Sequence, residues 1–306
     1  MANDTRSHAS PGSRFIDPLV LGHIDNLALL ARTVVEGFIG GLHRSPYRGL
    51  SVDFAEHRPY VPGDDIRMID WRVYGRTDRF YIKQFEADSN ANFTVMLDVS
   101  RSMGFAQSGL SKFDYARYLA ACLLYFASKQ RDRIGFLSFN DDVVDYVPPA
   151  AKHLDLIMHT IDRLQPSGTS ALEKPLWKLA EAARRRGIMV LISDLYEDPT
   201  TVLESVQRLG HKGNDLLVFH VLDRAEIDFP FEESANYVDM ESGESLPVIP
   251  ERLRERYREL VAEHIGALRS SLGQRRIDYA LFDTSQPLDH ALFSYLSMRH
   301  QLMRNR

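Results

Sequence analysis

The feature that most restricts the possible folds is the alternation of short apolar runs with helical patterns after residue 92. Five runs have the length of a strand and are almost continuously apolar, as in strands covered on both faces: residues 93–99, 133–139, 188–193, 216–222 and 277–282. Between most of them, apolar residues recur at the three- and four-residue spacing of amphipathic helices. This alternation predicts right-handed crossovers between parallel strands. The expected fold class is therefore α/β, a doubly wound, mostly parallel sheet with a small N-terminal strand-rich extension.

The chain of 306 residues is expected to divide into three parts. Residues 1–16 are mainly polar and are predicted to be disordered. Residues 17–92 hold an amphipathic helix that is predicted to end at Gly40-Gly41, followed by the strand-rich extension. Residues 93–306 form the α/β domain, with a hairpin inserted near residues 237–249.

Composition excludes several functional classes. With 37 basic and 42 acidic residues and a net charge of −5, the chain lacks the basic excess of a non-specific nucleic-acid binder. Its single cysteine, Cys122, excludes a disulfide framework and a multi-cysteine zinc site. No apolar run approaches the roughly 20 residues that span a bilayer, and residues 1–14 lack the apolar core of a signal peptide. We therefore expect a cytoplasmic protein that neither binds nucleic acid nor spans a membrane.

The candidate functional residues are oxygen-bearing side chains just beyond the predicted strands, where ligands bind in open α/β sheets. One strand is followed by three such residues at i, i+2 and i+4, which share one side of an extended segment. A second strand is followed by an aspartate, and the turn-rich loop 166–170 offers a hydroxyl from Thr169 or Ser170. The predicted set is Asp98, Ser100, Ser102, Thr169 and Asp194.

Two carboxylates and several hydroxyls make an all-oxygen donor set, which suits Mg²⁺, Mn²⁺ or Ca²⁺ rather than zinc. An ion held mainly by neutral hydroxyls keeps much of its positive charge and therefore attracts a further carboxylate from outside. The competing interpretation is that Asp and Ser after a strand act only as turn and cap residues. A buried strand, a later Gly-Thr-Ser and a second strand ending in Asp together favour the metal site.

The pattern of Asp98-x-Ser100-x-Ser102 with Thr169 and Asp194 resembles the metal-ion-dependent adhesion site of von Willebrand factor A domains. Several upstream segments resemble the signature of the domain of unknown function 58 family, and the resemblance covers roughly residues 35–300. These segments are Arg48–Phe54, Glu56–Tyr60, Gly63–Arg67, Ile69–Trp71 and Lys83–Glu86.

The resemblance implies a von Willebrand A-like, Rossmann-type fold and a role for each site residue. Ser100, Ser102 and Thr169 would bind the metal directly, while Asp98 and Asp194 would act mostly through water. Because family members are often encoded beside MoxR-type AAA+ ATPases, the resemblance also implies a role in ATPase-assisted assembly or maturation of protein complexes. The expected function is non-enzymatic binding of an acidic side chain on a partner protein through the divalent cation.

Other chemistries are weaker matches. The main alternative is a hydrolase or phosphatase that uses the same ion to activate water. A haloacid dehalogenase-type enzyme needs a second carboxylate two residues after Asp98, and Ser100 cannot act as that general acid. A phosphate-binding loop would need lysine at Leu110.

A charged cluster upstream of the α/β domain is interpreted as an ion-pair network that joins the extension to the core, with an active site as the alternative. It consists of Asp64, Asp65, Arg67, Asp70 and Arg72, with Trp71 as an anchoring aromatic.

Overall fold

The computed structural model describes residues 26–42, 57–61, 69, 71–83, 91–107, 109–183, 185–288, 290–292 and 294–295. The N-terminal part contains helix α1 (Leu27–Leu42), strand β1 (His57–Pro59), helix α2 (Trp71–Thr77) and strand β2 (Tyr81–Lys83). Strands β1 and β2 pair in antiparallel orientation. The part of the chain that the structure describes contains no helix both long and apolar enough to cross a membrane.

The main sheet has six strands: β3 (Asn92–Asp98), β4 (Arg133–Phe139), β5 (Val143–Ala150), β6 (Gly187–Ser193), β7 (Asp215–Leu222) and β10 (Asp278–Asp283). Their order across the sheet is β10-β7-β6-β3-β4-β5. All neighbours are parallel except β4 and the edge strand β5. Strands β3, β4 and β5 therefore form one half of the sheet. The chain then returns to β6 beside β3, and β6, β7 and β10 form the other half. The switch point between β3 and β6 is where ligands bind in doubly wound sheets.

Helices cover both faces of this sheet. They are α3 (Lys112–Lys129), α4 (Leu154–Asp162), α5 (Glu173–Ala182), α6 (Pro199–Gly210), the short α7 (Arg224–Asp228) and α8 (Pro250–Gln274). One apolar core joins α1, α3 and α4 to the sheet, and a second joins α5, α6 and α8 to the opposite face. Alternate residues of β3 serve the two cores: Val95 and Leu97 face the first, and Met96 faces the second. The predicted doubly wound α/β fold is confirmed.

Between α7 and α8 the chain forms a hairpin from β8 (Ala235–Val238) and β9 (Ser245–Val248), which pair with each other in antiparallel orientation. Among the described strands, this two-stranded sheet is separate from the six-stranded one.

Two features differ from the sequence-based expectation or lie outside it. Helix α1 ends at Leu42, one residue beyond the predicted stop at Gly40-Gly41, a difference within the one or two residues by which helix ends fray. The predicted charged cluster lies outside the described residues, except for the backbone of Arg72 and for Trp71. Trp71 is 62% exposed, and its ring packs edge-on against that of Tyr74.

Candidate metal centre

Asp98 is the last residue of β3 and is fully buried at the switch point. Its Oδ1 accepts the backbone N–H of Ser100 at 2.9 Å, and its Oδ2 accepts the hydroxyls of Ser193 at 2.7 Å and Ser170 at 3.0 Å. Burial and the negative charge of Asp194 raise the pKa of Asp98 to about 7, although hydrogen bonds act in the opposite direction. Asp98 is therefore a buried carboxylate that hydrogen bonds stabilise only in part.

The segment after Asp98 bends instead of remaining extended. Ser100 has an extended backbone (φ −61°, ψ 162°), but Ser102 lies in a 3₁₀ turn from Arg101 to Gly104. The expectation of one extended segment as far as Ser102 is therefore wrong, and the chain turns because Met103 is buried in the core. The turn still brings the hydroxyls together, since the Oγ atoms of Ser100 and Ser102 are 3.1 Å apart.

The loop that carries Thr169 is fixed to this turn by backbone hydrogen bonds. The N–H of Ser167 donates to the carbonyl of Val99 at 2.7 Å, and the N–H of Arg101 donates to the carbonyl of Gly168 at 3.1 Å. Gly168 has a φ of +75°, and a Cβ atom there would lie 2.6 Å from Nδ2 of Asn140. This position thus requires glycine on two grounds.

Of the two hydroxyls that the loop offers, that of Ser170 donates to Asp98, whereas Thr169 is exposed. Ser170 was an alternative in the sequence analysis, and the structure brings it into direct contact with the buried carboxylate. The backbone N–H of Ser170 donates to Oε2 of Glu241 at 3.1 Å, so the same residue also contacts the hairpin.

Asp194 follows β6, is fully buried, and precedes a strained residue. Leu195 has a φ of 50°, in the left-handed region that costs a non-glycine residue about 1–2 kcal/mol. Two hydrogen bonds hold it: its N–H donates to Oγ of Ser193 at 3.1 Å, and its carbonyl accepts Nε2–H of His264 at 2.8 Å. Since Ser193 also donates to Asp98, one hydroxyl links the two acidic ends of β3 and β6.

The charge of Asp194 is shared with a buried lysine that the sequence analysis missed. Lys112 begins α3, its side chain is 0% exposed, and its Nζ donates to Oδ2 of Asp194 at 2.8 Å and to Oε1 of Glu226 at 2.7 Å. The ammonium also lies 4.9 Å from the ring centre of Tyr196, within the range of a cation–π contact. Burial alone would lower the pKa of Lys112, but the two carboxylates raise it above its ordinary value.

These residues fit a divalent cation in charge and in donor type. Asp98, Asp194 and Glu226 carry three negative charges against the single ammonium of Lys112 when all are ionised. In the part of the chain described, Oδ1 of Asp194 is buried and has no hydrogen-bond partner.

No group of three or more His, Cys, Asp or Glu side chains in these segments is arranged to hold a metal. A cation here would therefore depend on hydroxyl oxygens as well as carboxylates. We call the set of Asp98, Ser100, Ser102, Thr169 and Asp194 the candidate ion site.

The fold and this acidic edge define a doubly wound α/β protein with a polar cluster at its switch point. The chain belongs to the family described as protein of unknown function DUF58, whose model matches residues 56–266. The uncharacterized protein Rv1480 of Mycobacterium tuberculosis is 28% identical over 232 residues, which cover 74% of this chain and 73% of that protein. The uncharacterized protein Mb1516 of Mycobacterium bovis matches to the same extent.

Similarity to solved structures is lower. BatB from Bacteroides thetaiotaomicron is 15% identical with a TM-score of 0.49, over 70% of this chain and 99% of that one. The VWA domain of SpRpn10 is 12% identical with a TM-score of 0.38, over 66% of this chain and 93% of that one.

Proposed function

We propose that this protein is a metal-dependent protein-interaction module. A divalent cation, Mg²⁺ with Mn²⁺ or Ca²⁺ as substitutes, binds at the candidate ion site, and a carboxylate of a partner protein completes its coordination. The hydroxyls of Ser100, Ser102 and Thr169 are the direct ligands, and Asp98 and Asp194 act mostly through water. In this proposal the protein binds its partner and catalyses no reaction.

The observation that supports the proposal is the uncompensated negative charge at the switch point. Asp98 is fully buried, and burial together with the negative charge of Asp194 raises its pKa. Asp194 has one oxygen paired with Lys112 and the other without a partner among the described residues. Burying unpaired charge is costly, and a divalent cation would offset the two excess charges of the cluster.

Because the proposed direct ligands are hydroxyl oxygens, the ion would be able to bind an outside ligand and would not be a closed structural site. Hydroxyl oxygens carry no charge, so the ion would stay strongly positive toward the outside. Ser102 is half-buried and Thr169 is exposed, so an ion beside them would be accessible from outside. An acidic side chain of a partner protein supplies the anionic oxygen that such an ion attracts. The partner class implied by the family is a MoxR-type AAA+ ATPase or a complex that such an ATPase helps to assemble.

The hydrolase alternative needs a base that can activate water near the ion. His220 lies inside β7 and is fully buried, and burial lowers its pKa to about 3, which makes it a weak base. His264 uses Nε2–H to hold the carbonyl of Leu195. Neither geometry favours a general base, and so the binding function is preferred.

Binding of the ion is tested by measuring the melting temperature in three conditions: with chelator, with Mg²⁺ and with Mn²⁺. An ion at 100 times its dissociation constant adds about 2.7 kcal/mol of stability, which raises the melting temperature by about 4 °C in a chain of this size. Asp98→Ala and the double variant Ser100→Ala/Ser102→Ala should lose this shift. Asp155→Asn, an exposed aspartate at the start of α4, is the matched control and should keep it. An equal shift in all four proteins would refute the site.

The partner function is tested by affinity capture from native cells with and without chelator, using wild type and Asp194→Ala. Partners that remain bound in chelator would show that no ion makes the contact. Turnover of a generic phosphomonoester that required Asp98 would support the hydrolase instead.

A further inference from the structure

The turn between β8 and β9 has a defined shape and is rich in acidic residues. Oδ1 of Asp239 accepts the backbone N–H groups of Glu241 at 2.9 Å and Ser242 at 2.6 Å. The N–H of Gly243 donates to the carbonyl of Asp239 at 2.9 Å, and Gly243 has a φ of +76°. Because these bonds fix the turn internally, its side chains are presented in a reproducible direction. We call residues 239–244 the hairpin tip.

The hairpin tip contacts both loops that carry the hydroxyls of the candidate ion site. Oε2 of Glu241 accepts the backbone N–H of Ser170 at 3.1 Å, next to Thr169. Cε of Met240 lies 3.7 Å from the place a Cβ would occupy at Gly104, two residues after Ser102. The tip therefore lies beside the ion site, although it is more than 60 residues away in sequence.

The hairpin packs through the ring of Tyr237, and the residues around that ring are exposed. The ring of Tyr237 in β8 lies 5.9 Å from that of Phe229, and the ring of Phe229 lies 4.6 Å from that of Tyr257 in α8. Leu246, which pairs with Tyr237 across the hairpin, is 64% exposed, and Val238 is 60% exposed. Since a two-stranded hairpin is marginally stable on its own, and elements with few buried contacts open most readily, the tip can leave the loops.

We propose that the hairpin β8–β9 is an autoinhibitory lid over the candidate ion site, closed by the contact of Glu241 with Ser170. This inference rests on the proposed function, since it concerns access of an acidic partner to the ion. In the closed state Glu241 holds an amide of the ion-site loop. The tip also carries three carboxylates, those of Asp239, Glu241 and Glu244, which repel an approaching acidic side chain. The partner's carboxylate reaches the ion once the hairpin has moved away.

The test compares Glu241→Ala with Glu244→Ala. Both substitutions remove one negative charge from the hairpin tip, but Glu244 is exposed, whereas the carboxylate of Glu241 accepts the backbone N–H of Ser170. A second variant replaces residues 239–244 with Asn-Gly, a two-residue turn that suits a short hairpin. Each full-length protein is loaded with Mn²⁺, and two quantities are measured: the dissociation constant for Mn²⁺ by electron paramagnetic resonance, and the affinity for a penta-glutamate peptide.

The lid predicts that Glu241→Ala binds penta-glutamate at least about threefold more tightly than Glu244→Ala, and that the shortened hairpin binds it more tightly still. Mn²⁺ affinity stays within about twofold of wild type in all three. Equal peptide affinities in wild type and every variant, with Mn²⁺ bound, would overturn the lid and leave the ion site standing. Equal gains in both Ala variants would mean simple charge repulsion and would also overturn it. A large loss of Mn²⁺ affinity in Glu241→Ala would make Glu241 a ligand rather than a lid. Failure of wild type to bind Mn²⁺ would remove the proposed function itself.

Discussion

Replacing Asp98 with asparagine should stabilise the protein in chelator, although it removes a residue at the centre of the candidate ion site. The side chain is fully buried, so the substitution keeps its shape and removes a charge that has no cationic partner among the described residues. Asparagine can still accept the N–H of Ser100 through its carbonyl oxygen, and the hydroxyls of Ser170 and Ser193 can rotate to accept its amide hydrogens.

The size of the effect follows from the pKa of Asp98, which burial and Asp194 raise from 3.8 to about 7. The native state therefore binds a proton that the unfolded state has released, so the stability of wild type falls as pH rises from about 4 to about 7. A shift of about three pKa units corresponds to about 4 kcal/mol at pH 8. Weaker hydrogen bonds in asparagine offset part of this, so we expect Asp98→Asn to gain about 1–3 kcal/mol at pH 8. Linkage also makes that gain about 2.5 kcal/mol larger at pH 8 than at pH 5.

Urea unfolding in chelator at the two pH values, followed by circular dichroism, measures both free energies. Asp155→Asn again serves as control and should show no comparable pH-dependent difference, since Asp155 is exposed. With excess Mg²⁺ wild type should recover stability and Asp98→Asn should not. The reasoning is wrong if Asp98→Asn loses the same free energy at both pH values, because Asp98 would then carry an ordinary, well-compensated charge.

Three further substitutions test the neighbours of the ion site. Lys112→Met leaves Asp194 buried without its ammonium and should cost about 3–5 kcal/mol of unfolding free energy in urea. Ser193→Ala removes the hydroxyl that links the ends of β3 and β6 and should cost about 1–2 kcal/mol, with a larger loss at high pH because Asp98 loses a donor. Gly168→Ala forces a side chain against Asn140 at a positive φ and should cost about 1–2 kcal/mol by the same assay while weakening Mn²⁺ binding.

The order of strands and helices could be predicted because the strands that carry the sheet are buried on both faces. Such strands are continuously apolar in the sequence, as residues 93–97 and 188–192 are, and each lies next to a helix with clear periodicity. The carboxyl ends of β3 and β6 then follow from the sheet order, which explains why Asp98 and Asp194 could be placed at one edge.

The lysine that pairs with Asp194 could not be predicted, because it is far away in sequence. Lys112 lies 82 residues before Asp194 and 114 before Glu226. A lysine at the start of a helix is ordinarily exposed, and nothing local shows that this one is buried. The apolar sequence of α3 predicts a buried helix, but it does not show that the lysine in the first turn is buried or which acidic residue it contacts.

The buried lysine also bears on which ligand the proposed ion would accept. With all four groups ionised, the carboxylates of Asp98, Asp194 and Glu226 exceed the charge of Lys112 by two, so a divalent cation would make the cluster neutral. The attraction between a partner's carboxylate and the ion would then not be cancelled by excess negative charge in the cluster. If the lysine were absent, the loaded cluster would keep one negative charge and would repel an acidic partner. On our proposal, Lys112 therefore makes the difference between a site that only binds a cation and one that can use it to bind an acidic side chain.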